Sequence, residues 1–217
     1  MKIDVKDVCK SFHKKQVLDN VNYTFISGNI YGLSGINGIG KSVLLKIICG
    51  LYKPSSGCVL YDGVKINQDL VIKSNVRALI DTPYFFPELT GFENLKVLSK
   101  ITNKINDDDI NKALDIVNLT CEKDKLYEDY SLGMKQKLGI AQVIMENPKV
   151  IILDETFNGI DSESILKIEE YLKEVFPLED VLKRARAVEN LHELIKNNGR
   201  NFDLTQEEKE LATMLAQ

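Results

Sequence analysis

A chain of 217 residues with 44% hydrophobic and 28% charged side chains has the material for one well-buried domain, in the ordinary range for a soluble globular protein. Its formal charge of −4 supplies no basic excess, so nucleic acid is not an expected partner. No apolar run nears the roughly 20 residues that cross a bilayer, and the opening MKIDVKDVCK lacks the apolar core of a signal peptide. Cys9, Cys49, Cys58 and Cys121 are scattered without a C-x-x-C pair, which speaks against a zinc site or a disulfide framework and fits a reducing cytoplasm.

In chain order, KIDVKDV and VLDNVNYTFI alternate apolar and polar positions and predict two strands. Ser27, Gly28 and Asn29 make a turn, and IYGLSG predicts a third strand running into GINGIGKS at residues 35–42. KSVLLKIICG has helical length and a C-cap signal at Gly50. Between PSSG and the Asp62-Gly63 turn, CVLY predicts one arm of a hairpin, and VRALI adds another strand. From Gly91 the period lengthens. ENLKVLSKI, the segment 110–119 and LGMKQKLGIAQVIMEN carry apolar residues three and four apart, which predicts a mostly helical insertion. KVIILDE returns to the sheet with four consecutive aliphatics, the pattern of a strand buried on both faces. SESILKIEEYLKEVF follows as an amphipathic helix.

Past Phe176, a stripe of Val181, Leu182, Ala185, Val188, Leu191, Leu194 and Ile195 predicts a helix ending near Gly199, and Thr205 with Glu208 reads as the capping box of another. The expected class is α/β, a P-loop nucleoside triphosphate hydrolase fold. It has a β-rich N-terminal subdomain, a helical insertion at about 88–147 and an atypical all-helical tail at 176–217 after a cassette spanning 1–175.

GINGIGKS matches G-x-x-x-x-G-K-[ST] between a predicted strand and a predicted helix, the context that motif requires. Gly35, Gly38 and Gly40 let the backbone curl so that successive N–H groups face one concavity, and the following helix aims its positive end at the same spot. A polyanion fits there, with Lys41 adding a charge for the β- and γ-phosphates and the Ser42 hydroxyl able to ligate Mg²⁺. A glycine-rich turn that binds nothing is the competing reading. VIILDE supplies the rest of a hydrolytic site at a strand end: Asp154 to hold Mg²⁺ and Glu155 to polarise the attacking water, unless the pair is a solvated turn.

These motifs, with YSLGMKQKLGIAQ between them, resemble an ATP-binding cassette ATPase, the motor subunit of a transporter. The segment is similar to the family signature LSGGQ, in the SLGMKQ form of bacitracin- and lantibiotic-resistance exporters. The resemblance covers residues 1 to about 175 and implies ATP and Mg²⁺ as ligands. It implies that Ser131 and Gly133 bind the γ-phosphate of an opposing subunit in a homodimer or cassette heterodimer, although SLGMK also reads as a helix start capped by Ser131. Asn37 and Val43 join the P-loop set by the same resemblance. Phe12 matches the aromatic that stacks on adenine, against a rival reading as a core phenylalanine on an edge strand, and NGID at 158–161 resembles the loop that crosses the dimer interface. Asp107, Asp108 and Asp109 are a solvated helix start.

The family context implies a separate integral membrane permease, docked against the 81–130 region, and a peripheral place on the inner face of the cell membrane. The whole reads as the ATPase of an exporter. A rearranged cassette that binds ATP but hydrolyses it poorly is the alternative, and a soluble ATPase of translation or DNA repair is a third.

Some positions depart from the family. Asp81, in LIDTP, stands where a glutamine usually senses Mg²⁺, so it is expected near the metal. Thr156 and Phe157 replace the usual proline and threonine. FPLEDVLKRARAVENLHELIKNNGR stands where the family has a switch strand ending in a histidine; His192 reads as a helix-face residue, and His13 lies too early. Losing that strand would leave central strands without hydrogen-bond partners, and losing the histidine is expected to slow hydrolysis more than binding.

Overall fold

The computed structural model describes residues 1–33, 35–66 and 76–175. Among them, in chain order, run β1 (Lys2–Phe12), β2 (Lys15–Ile26), α1 (Lys41–Ile48), β3 (Ser56–Tyr61), β4 (Val64–Lys65), β5 (Val76–Leu79), α2 (Gly91–Thr102), α3 (Asp107–Ile116), α4 (Leu132–Ile144), β6 (Val150–Leu153) and α5 (Ser162–Val175). They fall into two compact units, one within Met1–Leu70 and one within Val71–Val175.

In the first unit, four antiparallel strands lie in the order β2-β1-β3-β4. Ile3 and Val5 bury the apolar face of β1, with Asp4 between them also buried and accepting from the Thr24 hydroxyl, and the buried apolar set then resumes at Val8 instead of residue 7. A register shift between Val5 and Val8 explains the skipped beat, because one extra residue in a strand moves every later side chain to the other face. Asp7 turns there with φ 49, and its amide donates to Asn22 Oδ1 at 2.9 Å. The Asp62-Gly63 turn closes the β3–β4 hairpin with positive φ at both residues, 47° and 83°, the geometry that suits the twist of two paired strands.

α1 buries Leu44, Ile47 and Ile48, three and four residues apart. Its end is tied to the sheet by Tyr61 of β3, whose buried hydroxyl donates to the Ile48 carbonyl at 2.6 Å. Burial pushes the Tyr61 hydroxyl well above the usual phenol range, so it stays a neutral donor. Tyr61→Phe leaves that carbonyl without its partner and is expected to lower the unfolding free energy by about 1–2 kcal/mol, read from a urea titration.

The second unit pairs β5 with β6 in parallel, Val76 opposite Val150 and Leu79 opposite Leu153. Around them the helices share one core, in which Leu95, Ile110, Leu114, Leu138, Ile140 and Ile168 are all fully buried. Capping boxes start α2 at Thr90 with Glu93 and α3 at Asn106 with Asp109. The three aspartates opening α3 are therefore a helix start, and no metal-holding cluster of histidine, cysteine or acids occurs among the described residues.

Two expectations are corrected. Residues 30–33 of IYGLSG form no strand: an apolar run becomes a strand only when a ladder receives its amides, and among the described residues none is recorded for it. The aliphatic run of β6 is not buried on both faces either; only Ile152 is buried, the other three residues being half-buried. Among the described residues β6 has a ladder partner on one side alone, which leaves its faces partly uncovered. The helical tail, the Thr205 capping box and His192 lie outside the described residues. No described helix is long and apolar enough to cross a membrane.

Candidate functional site

The loop at 35–42 ends in α1, whose N-cap is Gly40 with φ 114 and no side-chain cap. That φ lies where L side chains are strained, and space is short as well: a Cβ at Gly40 would sit 2.9 Å from Leu18 Cδ2 and 3.0 Å from Val17 Cγ1 of β2. The glycine therefore lets the loop lie against the strand. The first turn of α1 contains no acidic residue, so no carboxylate competes for its amides or its positive dipole end. Lys41 turns its ammonium back onto the Gly35 carbonyl, which holds the charge over the loop. Asn37 and Gly38 form the exposed turn at its tip, and Ser42 and Val43 lie in the first turn of α1.

Phe12 is 39% exposed at the end of β1, which runs between β2 and β3. It is thus neither a core residue nor on an edge strand. Its ring meets Tyr52 edge-on at 5.9 Å, with Lys10 Nζ 5.0 Å from its centroid, and Lys46 of α1 reaches the Tyr52 ring at 5.7 Å. Phe12 and Tyr52 are each a little over a third exposed, so both rings keep surface that reaches solvent.

The acids stand in the second unit. The Asp154 amide donates to the Leu79 carbonyl at 2.9 Å, carrying the β5–β6 ladder one residue past β6 and fixing Asp154 at the strand's carboxyl end. Glu155 follows with φ 52, a left-handed backbone that costs a non-glycine residue about 1 kcal/mol; its side chain is exposed. Thr156 is 2% exposed, and its hydroxyl finds no hydrogen-bond partner among the described residues. Asp81 lies two residues beyond β5, exposed, with φ 69.

Ser131 caps α4 by accepting from the Met134 amide at 3.2 Å, so the cap reading of SLGMK holds, and a cap is compatible with the signature reading. Gly133 is packed so closely that an added Cβ would run into the Gly159 carbonyl oxygen of the 158–161 loop. The start of α4 and the 158–161 loop thereby touch backbone to backbone. Two further residues escaped notice in the sequence. Asn94, 1% exposed, accepts from the Phe86 amide at 2.9 Å and donates to the carbonyls of Phe86, Leu89 and Thr90 at 3.0–3.2 Å, pinning the chain that follows Asp81. Lys137 is a buried lysine among polar partners. Neither position carries a local signal beyond a polar residue on an otherwise apolar helix face.

Residues 18–158 match the ABC transporter family profile. The chain is 38% identical over 174 residues to the bacitracin transport ATP-binding protein of Enterococcus faecalis, covering 80% of this chain and 56% of that protein. It therefore spans little more than half the length of that relative. Against the lantibiotic transport ATP-binding protein of Streptococcus pyogenes it is 32% identical over 171 residues, covering 79% of this chain and 73% of that one. Its fold superposes on a dimeric bacterial ABC transporter cassette with a TM-score of 0.73 at 25% identity, over 80% of this chain and 82% of the other. The expected α/β P-loop fold thus stands for the described residues. The matched span includes the loop at 35–42, α4 and the acid pair, and the chain belongs to the ABC transporter family of ATP-binding cassettes.

Proposed function

We propose that this chain is the ATP-binding part of an exporter, using MgATP to drive a separate membrane permease. The observation that carries the reading is the loop at 35–42: an uncapped helix start without acids, closed by Gly40 and overhung by the Lys41 ammonium. Those amides bind phosphate oxygens, Lys41 neutralises the β- and γ-phosphates, and Phe12 takes the adenine ring. Mg²⁺ would be held by Ser42 and Asp154, with Asp81 nearby. A serine hydroxyl and carboxylates are hard oxygen donors, which suit a cation that keeps several waters and takes its remaining ligands from phosphate oxygens. When bound, the ion would offset charge on the phosphates. Glu155 orients water for in-line attack on the γ-phosphorus; the bond to the β–γ bridging oxygen breaks, and ADP and phosphate leave.

The cassette in this reading comprises residues 1–175, with the helical subdomain at about 88–147. Two copies, or this chain and a second cassette, meet face to face so that Ser131 and Gly133 of each contact the γ-phosphate held by the other. The permease docks against the 81–130 region, which puts the protein on the inner face of the cell membrane. The relatives are named for bacitracin and lantibiotic transport, so the proposed cargo is a peptide antibiotic, chosen by the permease.

Slow turnover is the finer expectation. It rests on the sequence of 176–217, where His192 is the single histidine. Phosphate release at saturating MgATP tests both levels. Binding with release well below the roughly 10 s⁻¹ of a typical enzyme supports the reading. Release at that rate or faster overturns slow turnover alone, and no binding overturns the cassette.

A further inference from the structure

α4 and the 158–161 loop are joined at two points one helical turn apart. The first is the backbone approach of Gly133 to Gly159. The second is Lys137, 8% exposed, whose ammonium donates to Asp161 Oδ2 at 3.2 Å, to Ser164 Oγ at 3.3 Å and to the Asn118 carbonyl at 3.4 Å. Its three hydrogens thus have three acceptors within reach. Asn118 closes the C-terminal end of α3, where carbonyls concentrate negative potential, and Asp161 stands at the N-terminal end of α5.

Asp161 is itself saturated. It accepts from the Ser164 amide and the Ser164 hydroxyl, both at 2.9 Å. The Ser164 amide first, then its hydroxyl, and Lys137 after them hold the Asp161 carboxyl down to about 2. Nearby, Asn118 donates to Glu163 Oε1 and Lys167 donates to Asn118 Oδ1, both at 3.4 Å. The junction of α3, α4 and α5 is therefore a polar network that runs from the buried Lys137 and Ser164 outward to the exposed Asp161 and Glu163.

Packing alone does not call for a charge here. Burying the Lys137 ammonium removes its water, a cost that its partners must offset, and a hydrophobic side chain of the same volume would fill the space without that cost. Directional bonds supply what an apolar filler cannot, a single relative placement of the elements they join. Here those elements are the helix that begins with Ser131 and Gly133 and the loop at 158–161.

We propose that Lys137 is a positioning residue of the dimer surface, locking the signature turn to the 158–161 loop so that both meet an opposing cassette as one unit. This rests on the exporter-cassette reading above. Lys137 touches neither nucleotide nor water in that reading; it acts through Asp161, Ser164 and Asn118.

The test is sedimentation equilibrium of the full chain with MgATP in a Glu155→Gln background, where slowed hydrolysis preserves the nucleotide. Lys137→Met is expected to raise the dimer dissociation constant about tenfold or more, while affinity for a fluorescent ADP analogue stays within about twofold. Lys137→Arg restores the dimer, since its guanidinium can reach the same acceptors. If Lys137→Met fails to fold, Asp161→Asn, at a half-exposed carboxylate, removes the charge partner and is expected to weaken the dimer in the same direction. Dimerisation unchanged by the substitution used, ADP affinity falling in step with it, or no recovery with arginine would each overturn the proposal. A background protein that forms no MgATP-dependent dimer overturns the cassette reading, and this inference with it.

Discussion

Glu155→Gln is expected to reduce phosphate release by about a hundredfold to ten-thousandfold, the range for losing a positioned general base, with MgATP affinity kept within about twofold. Glutamine matches glutamate in size and keeps one carbonyl acceptor, so the loop backbone has no steric reason to move. The amide cannot take a proton from water and aligns it less strongly. The backbone supports this assignment: Glu155 sits at φ 52 directly after Asp154, whose amide is fixed to Leu79. A strained conformation held by a neighbouring ladder persists when surrounding structure over-determines it, and such strain gathers at reacting centres. Single-turnover measurement of phosphate release, beside equilibrium binding, separates the two effects. An equal fall in both would indicate that Glu155 supports the nucleotide's place instead of the water's.

Lys41→Met is expected to weaken MgATP binding by about a hundredfold, the loss of charge-assisted hydrogen bonds to two phosphates. Methionine keeps much of the aliphatic stem and removes the charge. In the free protein the ammonium donates to the Gly35 carbonyl of its own loop, an interaction worth little against water, so the melting temperature should move by only a few degrees. The amides at the start of α1 remain, and that residual cradle explains why some affinity survives. Calorimetric titration of the variant with MgATP reads the change; an affinity equal to the wild type would separate the lysine from the phosphates.

Legibility in the sequence followed the range over which each signal acts. β1, β2 and the Asp62-Gly63 hairpin were readable because alternation and turn chemistry are local. The helical insertion was readable because Leu95, Ile110, Leu114 and Leu138 lie on periodic faces. IYGLSG misled because a strand is defined by its partners, and an apolar run does not say whether partners are supplied. The β6 aliphatics misled similarly: hydrophobicity reports a demand for cover and not its delivery.

At the site, the P-loop and the acid pair were legible as contiguous motifs, where each residue type has its own chemical reason. Lys137 was not, because its partners Asp161 and Ser164 lie 24 and 27 positions away, and a lysine on a helix reads as solvated by default. Asn94 was hidden for a related reason. Its four hydrogen bonds go to backbone atoms of the preceding loop, and no side-chain pattern marks a backbone acceptor. For Phe12 the structure removes the core, edge-strand reading, since its strand lies between two others with the ring exposed, and adenine stacking stands as part of the proposal.

That residues 35–42 form a triphosphate cradle is most directly tested by calorimetric titration of the purified chain with MgATP, with inorganic tripolyphosphate and adenosine as competitors. Such a cradle gives a Kd for MgATP below about 1 mM, or at least roughly 4 kcal/mol of binding free energy, with tripolyphosphate competing and adenosine ineffective alone. A folded protein with no affinity for MgATP at millimolar concentration would contradict it.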